Sequence, residues 1–202
     1  MKKQVLFIQG GGNGGYEADS KLVALLQKLL GEDYELSYPR MKTDEAAPNF
    51  GWLKQIGNEI DKLGDDIILV AHSFGASLLL KYLSENRVSK KVAEIFLVAT
   101  PFWSGKEEWV QGLKLQEDFG ESLPKNSRIF FYHCRDDEEI TFDHLASYRH
   151  KLPAATFREI ESGGHQLDNH LNLVAKDIKA CKFICCWKRP RLFRGCSCKP
   201  QA

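Results

Sequence analysis

The chain has 202 residues, of which 43% are hydrophobic and 27% are charged, and this length suits one globular domain. The last 22 residues hold six Lys or Arg and no acid, so acidic residues outnumber basic ones in residues 1–180. An acidic body excludes nucleic acid as the main partner, because phosphate binding needs a basic surface.

Cysteine is distributed just as unevenly. Five of the six cysteines lie in residues 181–202, and only Cys134 lies in the body. A body with one cysteine has no disulfide framework, which is typical of a reducing compartment. The apolar run at residues 5–8 is too short for a signal peptide, and no stretch of the sequence reaches the length of a membrane span. The sequence therefore predicts a cytoplasmic protein.

Apolar runs alternate with amphipathic segments along residues 1–180. The runs typical of buried strands cover residues 5–9, 34–37, 67–71, 95–99, 128–133 and 156–160. Helical spacing of apolar residues covers residues 18–30, 50–63, 75–83, 142–150 and 167–178. Between them, residues 101–127 are irregular and are predicted to form a flap or small helices. This order predicts an α/β fold, a three-layer α/β/α sandwich with a mainly parallel sheet of about six strands and no large lid.

The strongest chemical signal is at residues 71–75, which read Ala-His-Ser-Phe-Gly between a predicted strand and a predicted helix. A sharp strand-to-helix turn would present Ser73 as a nucleophile at the edge of the sheet. The N–H of Phe74 would then point at the developing oxyanion. Such a turn needs small residues two positions before and two positions after the serine, a need that Gly75 meets and Ala71 nearly meets. The alternative is a loop without chemistry.

A candidate base follows the last predicted strand, where Gly163 and Gly164 precede His165. Glycines allow a backbone to approach closely, so this loop could bring the imidazole over the serine. A surface histidine is the alternative for His165 taken alone. Its place downstream of Ser73 favours the role of general base.

Two candidate acids follow the strand at residues 128–133. A histidine that accepts a proton needs a carboxylate on its other nitrogen, and Asp136 and Asp137 lie between the serine and the histidine in the chain. The spacing to the apolar anchor Ile140 favours Asp137. Asp136 remains open, and the run 136–139 could also be only an acidic surface turn.

A glycine-rich loop follows the first strand at residues 10–15. Its backbone N–H groups could supply the second oxyanion donor, and Gly11 and Gly12 are the candidates. The competing interpretation is a nucleotide-binding loop, because the glycines loosely match G-x-G-x-x-G. No acidic residue ends the second strand as that motif requires. His72 is too close to Ser73 in sequence to act as its base, so we expect a structural role for it.

These motifs resemble the α/β-hydrolase superfamily over about residues 3–180. The short chain is similar to its small serine-hydrolase branch, that of the retinoblastoma-binding serine hydrolase and the bacterial YdeN-like proteins. The resemblance implies that the catalytic serine follows a histidine, as Ser73 does, and that the acid is the second of an Asp-Asp pair, which supports Asp137. It also implies that the catalytic histidine follows a glycine, as His165 does. Ala71 departs from the glycine usual in the family.

The sequence thus predicts a serine hydrolase that cleaves a carboxylic ester, thioester or amide of a small molecule and needs no metal or organic cofactor. The alternative is a binding protein on the same scaffold with an idle triad. An active triad predicts that Ser73 Oγ lies within about 3.2 Å of a His165 ring nitrogen. Residues 181–202 form a basic, Cys-rich tail, which we expect to be disordered or non-native. Contact of that tail with an anionic membrane is the alternative.

Overall fold

The computed structural model describes residues 2–12, 14–168 and 170–180. The predicted basic, Cys-rich tail at residues 181–202 lies outside the described residues. None of the helices in the described ranges is both long and apolar enough to cross a membrane.

The core of the fold is a six-stranded sheet in which every neighbouring pair is parallel. The strands are β1 (Lys3–Ile8), β2 (Tyr34–Ser37), β3 (Ile67–His72), β4 (Val92–Val98), β5 (Arg128–Cys134) and β6 (Thr156–Ile160). Their order across the sheet is β2-β1-β3-β4-β5-β6. All six residues of β3 are buried, because a central parallel strand is covered on both faces. The predicted parallel sheet of six strands is confirmed.

Helices cover both faces of the sheet. They are α1 (Gly15–Leu30), α2 (Trp52–Asp61), α3 (Ser73–Glu85), α4 (Glu108–Gln111), α5 (Phe119–Ser122), α6 (Asp143–Lys151) and α7 (Leu171–Lys179). Buried residues of α1 and α7 pack on one face, with Leu26 and Val174 in the same apolar cluster. Those of α2, α3 and α6 pack on the other, with Trp52, Leu79 and Tyr148 in a second cluster. The molecule is therefore the predicted three-layer sandwich.

The largest difference from the sequence prediction concerns the last helix, which begins at Leu171 rather than at residue 167. The preceding segment is a loop because Gly163, Gly164 and Leu167 all have positive φ angles of 144°, 59° and 51°. Backbone hydrogen bonds from Leu167 to Gly164 and from Asp168 to Gly163 close the turns. The predicted flap at residues 101–127 contains only the short helices α4 and α5.

The turn between β3 and α3 is tight. Ser73 has a φ angle of 50°, in the left-handed region that residues with a side chain rarely adopt. Two residues later, a Cβ on Gly75 would collide with the carbonyl oxygen of Gln9 and lie 2.8 Å from Cγ2 of Ile8. The turn thus packs directly against the end of β1, and only glycine fits at position 75.

We expect Gly75→Ala to lower the free energy of unfolding by about 2–3 kcal/mol, since overpacking of a rigid interior typically costs about 1–3 kcal/mol. Urea unfolding measures the change. Gly64→Ala is the control, because a Cβ there would meet only the end of the Gln4 side chain at 3.3 Å. Equal effects of the two substitutions would contradict this account of the turn.

Candidate active site

The candidate residues lie together at one edge of the sheet because all six strands point the same way. Ser73 follows β3, Asp137 follows β5, and His165 follows β6. Ser73 and His165 line one cavity of about 150 Å³ together with the glycine-rich loop, and Glu139 is also part of its wall. The structure therefore brings together the residues that the sequence analysis selected from four separate segments.

The nucleophile candidate lies at the start of a helix. Ser73 is the first residue of α3, and the residue is 9% exposed. The first N–H groups of a helix have no acceptor within the helix, so the N–H of Phe74 is not used by the helix. Its position beside Ser73 suits a donor to an oxyanion.

The glycine-rich loop lies against the same turn. A Cβ on Gly11 would be 2.9 Å from the Cβ of Phe74, so these two residues are in direct contact. Gly12 is exposed and has a φ angle of 81°, and no atom outside its chain neighbours lies within 4 Å of its Cβ position. The N–H of Gly10 donates to Asp19 Oδ2 at 2.7 Å and is thereby occupied. Of the predicted second donors, Gly11 is the one packed beside Phe74.

The imidazole of His165 is paired with Asp137. Its Nδ1 lies 3.0 Å from Oδ1 and 3.1 Å from Oδ2 of Asp137. Asp137 Oδ1 also accepts the backbone N–H groups of Glu139 at 3.0 Å and of Ile140 at 2.8 Å. Nε2 of His133 lies 3.3 Å from Asp137 Oδ2. The carboxylate is thus held in place from the backbone and from two imidazoles.

These contacts determine the charge of the pair. Burial alone would raise the pKa of Asp137, but hydrogen bonds from His133, His165 and the Ile140 N–H outweigh it and hold this pKa far below its usual range. Burial alone would lower the pKa of His165, but the hydrogen bond and charge of Asp137 outweigh it. The carboxylates of Glu139 and Glu138 add to that effect, so the pKa of His165 is raised. Asp137 is therefore an ionised partner that stabilises a protonated His165.

The other acids of residues 136–139 have different contacts. Asp136 accepts the N–H groups of Gly163 at 3.1 Å and Gly164 at 2.9 Å. Glu138 Oε2 accepts the N–H of His165 at 3.1 Å. These two side chains bind the backbone of the histidine loop, whereas Asp137 binds the imidazole itself. The run is therefore more than an acidic surface turn.

The predicted hydrogen bond between Ser73 Oγ and a ring nitrogen of His165 is not formed in the described part of the chain. Among the hydrogen bonds of residues 2–12, 14–168 and 170–180, none joins Ser73 Oγ to His165. Nε2 of His165 instead lies 3.5 Å from Oε2 of Glu139, whose side chain is 66% exposed. Hydrogen bonds between catalytic groups are often long before substrate binds and tighten in the complex. The side chain of Glu139 therefore lies beside Nε2 of His165, the nitrogen that would receive the proton of Ser73.

Sequence reasoning missed one buried acid at the site. Asp19 lies on α1, and it contacts Nδ1 of His72 through Oδ1 at 2.9 Å and Oδ2 at 3.0 Å. A signal was available, because Asp19 shares the buried stripe of its helix with Leu22 and Leu26. A carboxylate on the apolar face of an amphipathic helix needs a partner.

Aromatic residues of the irregular segment lie beside Phe74. The ring of Trp103 is 6.1 Å from that of Phe74, and its Nε1 donates to Ser77 Oγ at 2.9 Å. Trp109 is in edge contact with Trp103, and Trp109 is 55% exposed. These three rings are therefore in contact along the start of α3, which begins with Ser73. Within the described residues, no group of three or more His, Cys, Asp or Glu residues could hold a metal ion.

Comparison with solved structures defines the class of fold. The structure of the ydeN gene product from Bacillus subtilis has a TM-score of 0.70 at 20% identity, and the match covers 89% of this chain and 98% of that one. A meta-cleavage product hydrolase from Pseudomonas fluorescens IP01 has a TM-score of 0.71 at 14% identity, covering 89% and 92% of the two chains. The fold is that of a small α/β hydrolase.

Sequence comparison gives the family. The model of the serine hydrolase family matches residues 27–172, so the chain belongs to that family. Its relative YdeN from Bacillus subtilis (strain 168), which carries the name of a hydrolase, is 25% identical over 177 residues. That match covers 84% of this chain and 88% of the relative. The resemblance read from the motifs is confirmed.

We expect Glu139→Gln to lower the pKa of His165, because the substitution removes a negative charge that favours the imidazolium. Titration of the His165 ring by NMR measures the change. Glu32→Gln is the control, because Glu32 is exposed after α1 at the opposite edge of the sheet. An unchanged or increased pKa of His165 in Glu139→Gln would show that this contact does not form in solution.

Proposed function

We propose that the protein cleaves a carboxylic ester of a small molecule through a triad of Ser73, His165 and Asp137. The observation that carries the proposal is the pairing of His165 Nδ1 with Asp137 at 3.0 Å. Because Nδ1 is bound to Asp137, Nε2 is the ring nitrogen available to act as the base in the cavity that Ser73 also lines. Membership of the serine hydrolase family supports hydrolysis as the class of reaction.

The reaction would proceed in two halves. Ser73 Oγ attacks the ester carbonyl carbon while Nε2 of His165 takes the hydroxyl proton, and Asp137 stabilises the imidazolium. The N–H groups of Phe74 and of Gly11 or Gly12 donate to the oxyanion. Collapse of this intermediate breaks the bond to the alcohol, which leaves with the proton from His165. Water, deprotonated by the same nitrogen, then attacks the acyl-enzyme and releases the acid and Ser73.

The surroundings of Ser73 favour an ester with an apolar part. Phe74 directly follows Ser73, and the ring of Trp103 lies 6.1 Å from that of Phe74, so an apolar part of a substrate that reaches these rings would gain binding free energy by burial. The lining of the cavity itself includes four glycines of the glycine-rich loop together with Glu139 and Gln166. A thioester or an amide would follow the same steps with a different leaving group.

One observation favours the second candidate, a binding protein with an idle triad. Nε2 of His165 is close to Glu139, and within the described residues it has no hydrogen bond with Ser73. In that case the family scaffold would hold a ligand without turnover, since a fold does not fix a function.

We expect a fluorophosphonate reagent to label the intact protein, and Ser73→Ala and His165→Ala to abolish labelling, because the reagent reacts with an activated serine. Ser84→Ala is the matched control. Its hydroxyl lies on the same helix and donates to the Lys81 carbonyl oxygen, so labelling should persist. Ester hydrolysis in Ser73→Ala should fall by at least about 10³-fold. A folded protein that resists labelling would make the binding protein the leading function.

Substitutions of the two neighbouring aspartates should differ in their effect on kcat. We expect Asp137→Asn to lower kcat by about 10³–10⁴-fold, because it disturbs the tautomer and the cation of His165. Asp136→Asn should cause a much smaller loss, since it alters only contacts to the loop backbone. Steady-state kinetics on a chromogenic ester, with thermal unfolding to verify the fold, distinguish the two. A larger loss in Asp136→Asn would reverse the assignment.

A further inference from the structure

A second histidine and aspartate pair lies beside the proposed triad and has no role in the steps above. Asp19 and His72 are each 1% exposed, and both Asp19 oxygens lie within 3.0 Å of His72 Nδ1. The imidazoles of His72 and His165 are 4.7 Å apart between ring centres. A polar pair this deeply buried calls for an explanation, because such pairs often contribute little net stability.

The hydrogen bonds of His72 fix the direction of each contact. Its Nε2 lies 3.0 Å from the backbone carbonyl oxygen of His165, an atom that can only accept. Its Nδ1 faces the Asp19 carboxylate, which already accepts the Gly10 N–H. Burial alone would raise the pKa of Asp19, but hydrogen bonds from His72 and Gly10 and the charge of His72 outweigh it and lower this pKa. Nε2 of His72 therefore donates to the carbonyl of His165, and Nδ1 is the nitrogen that pairs with Asp19.

The pair connects three separate parts of the site. Asp19 binds the N–H of Gly10, which precedes the candidate oxyanion donor Gly11. His72 directly precedes Ser73 in the chain. Through Nε2, His72 binds the carbonyl of His165, the residue that carries the proposed base. Asp19 Oδ1 also accepts the side-chain N–H of Gln166 at 3.4 Å.

The geometry points to Asp19 and His72 as positioning residues for hydrolysis, which set the relative placement of the glycine loop, Ser73 and the His165 loop. This inference rests on the proposed function. Catalysis of this kind depends on distances between reacting groups, and an error of about 1 Å can cost about 10²-fold in rate. A pair that ties three loops to one another limits such errors without contacting the substrate.

Two substitutions of His72 separate its contacts. The amide nitrogen of Asn lies close to the position of Nδ1, so His72→Asn can keep the contact with Asp19 but loses the one with the His165 carbonyl. The amide of Gln reaches toward Nε2, so His72→Gln can keep the second contact. We expect kcat on a chromogenic ester to fall about tenfold further in His72→Asn than in His72→Gln, with KM unchanged in both. Wild-type kcat in both variants would overturn the inference, whereas a loss in both would show that the contact with Asp19 contributes as well.

A second variant and a control account for effects on folding. Asp19→Asn should also lower kcat, since it removes the negative charge that pairs with His72 and places an NH2 group where one carboxylate oxygen now accepts from Gln166. Asp177→Asn is the control. Asp177 lies on α7, outside the site, and accepts hydrogen bonds from Tyr132 and Arg158. It should lower the unfolding temperature and leave kcat per folded molecule unchanged. A loss of kcat in Asp177→Asn as large as that in Asp19→Asn would refute a positioning role.

Amide hydrogen exchange tests the inference without catalysis. We expect exchange to accelerate about tenfold at the N–H of Gly10 in Asp19→Asn, because this N–H donates to Asp19. In His72→Asn we expect a similar change at the N–H of His165, because the loop loses the contact at the His165 carbonyl and the bond of this N–H to Glu138 loosens. Unchanged exchange at both amides in folded variants would overturn the inference. If the intact protein is not labelled by the fluorophosphonate, the proposed function fails, and exchange still decides whether the pair holds the loops.

Discussion

The contact between Gly75 and the end of β1 is the constraint on which the rest of the site depends. Because position 75 has no Cβ, the start of α3 packs against the Gln9 carbonyl. The chain passes directly from β3 into α3 at this point, and Ser73, the first residue of the helix, has a left-handed conformation with a φ angle of 50°. The same closeness places Gly11 against Phe74. One steric condition thus places Ser73 at the wall of the cavity and brings Phe74 and Gly11, two of the candidate oxyanion donors, together.

The four acids at residues 136–139 show how neighbouring carboxylates come to have different contacts. A turn in which the Asp137 N–H donates to the Cys134 carbonyl at 3.3 Å follows β5. Asp137 points inward to the imidazole, and its neighbours bind the loop backbone. Glu139 remains largely exposed and near Nε2. All four side chains therefore affect the pKa of His165 or the position of its loop.

The sequence predicted those parts of the site that depend on local order. Ser73 follows a continuous apolar run that predicts a buried strand, His165 follows the last predicted strand, and the parallel sheet then places both at one edge. The choice between Asp136 and Asp137 depends on which side chain of the turn at residues 136–139 points toward the imidazole. Spacing in the sequence alone does not determine this. Asp19 was missed because its partner His72 lies 53 residues away. The conformation of the irregular segment at residues 101–127 depends on tertiary contacts, such as the hydrogen bond from Trp103 to Ser77.

The common direction of the strands also divides the molecule into two ends with different tolerance for change. Every candidate catalytic group follows the carboxyl end of a strand, whereas the connections that lead into the strands lie at the other end. Residues 86–91, between α3 and β4, are mostly exposed and lie in such a connection. An insertion or a nick there would lengthen or open a surface loop, at the far end of the sheet from Ser73. The same change between β5 and α6 would separate Asp137 from His165.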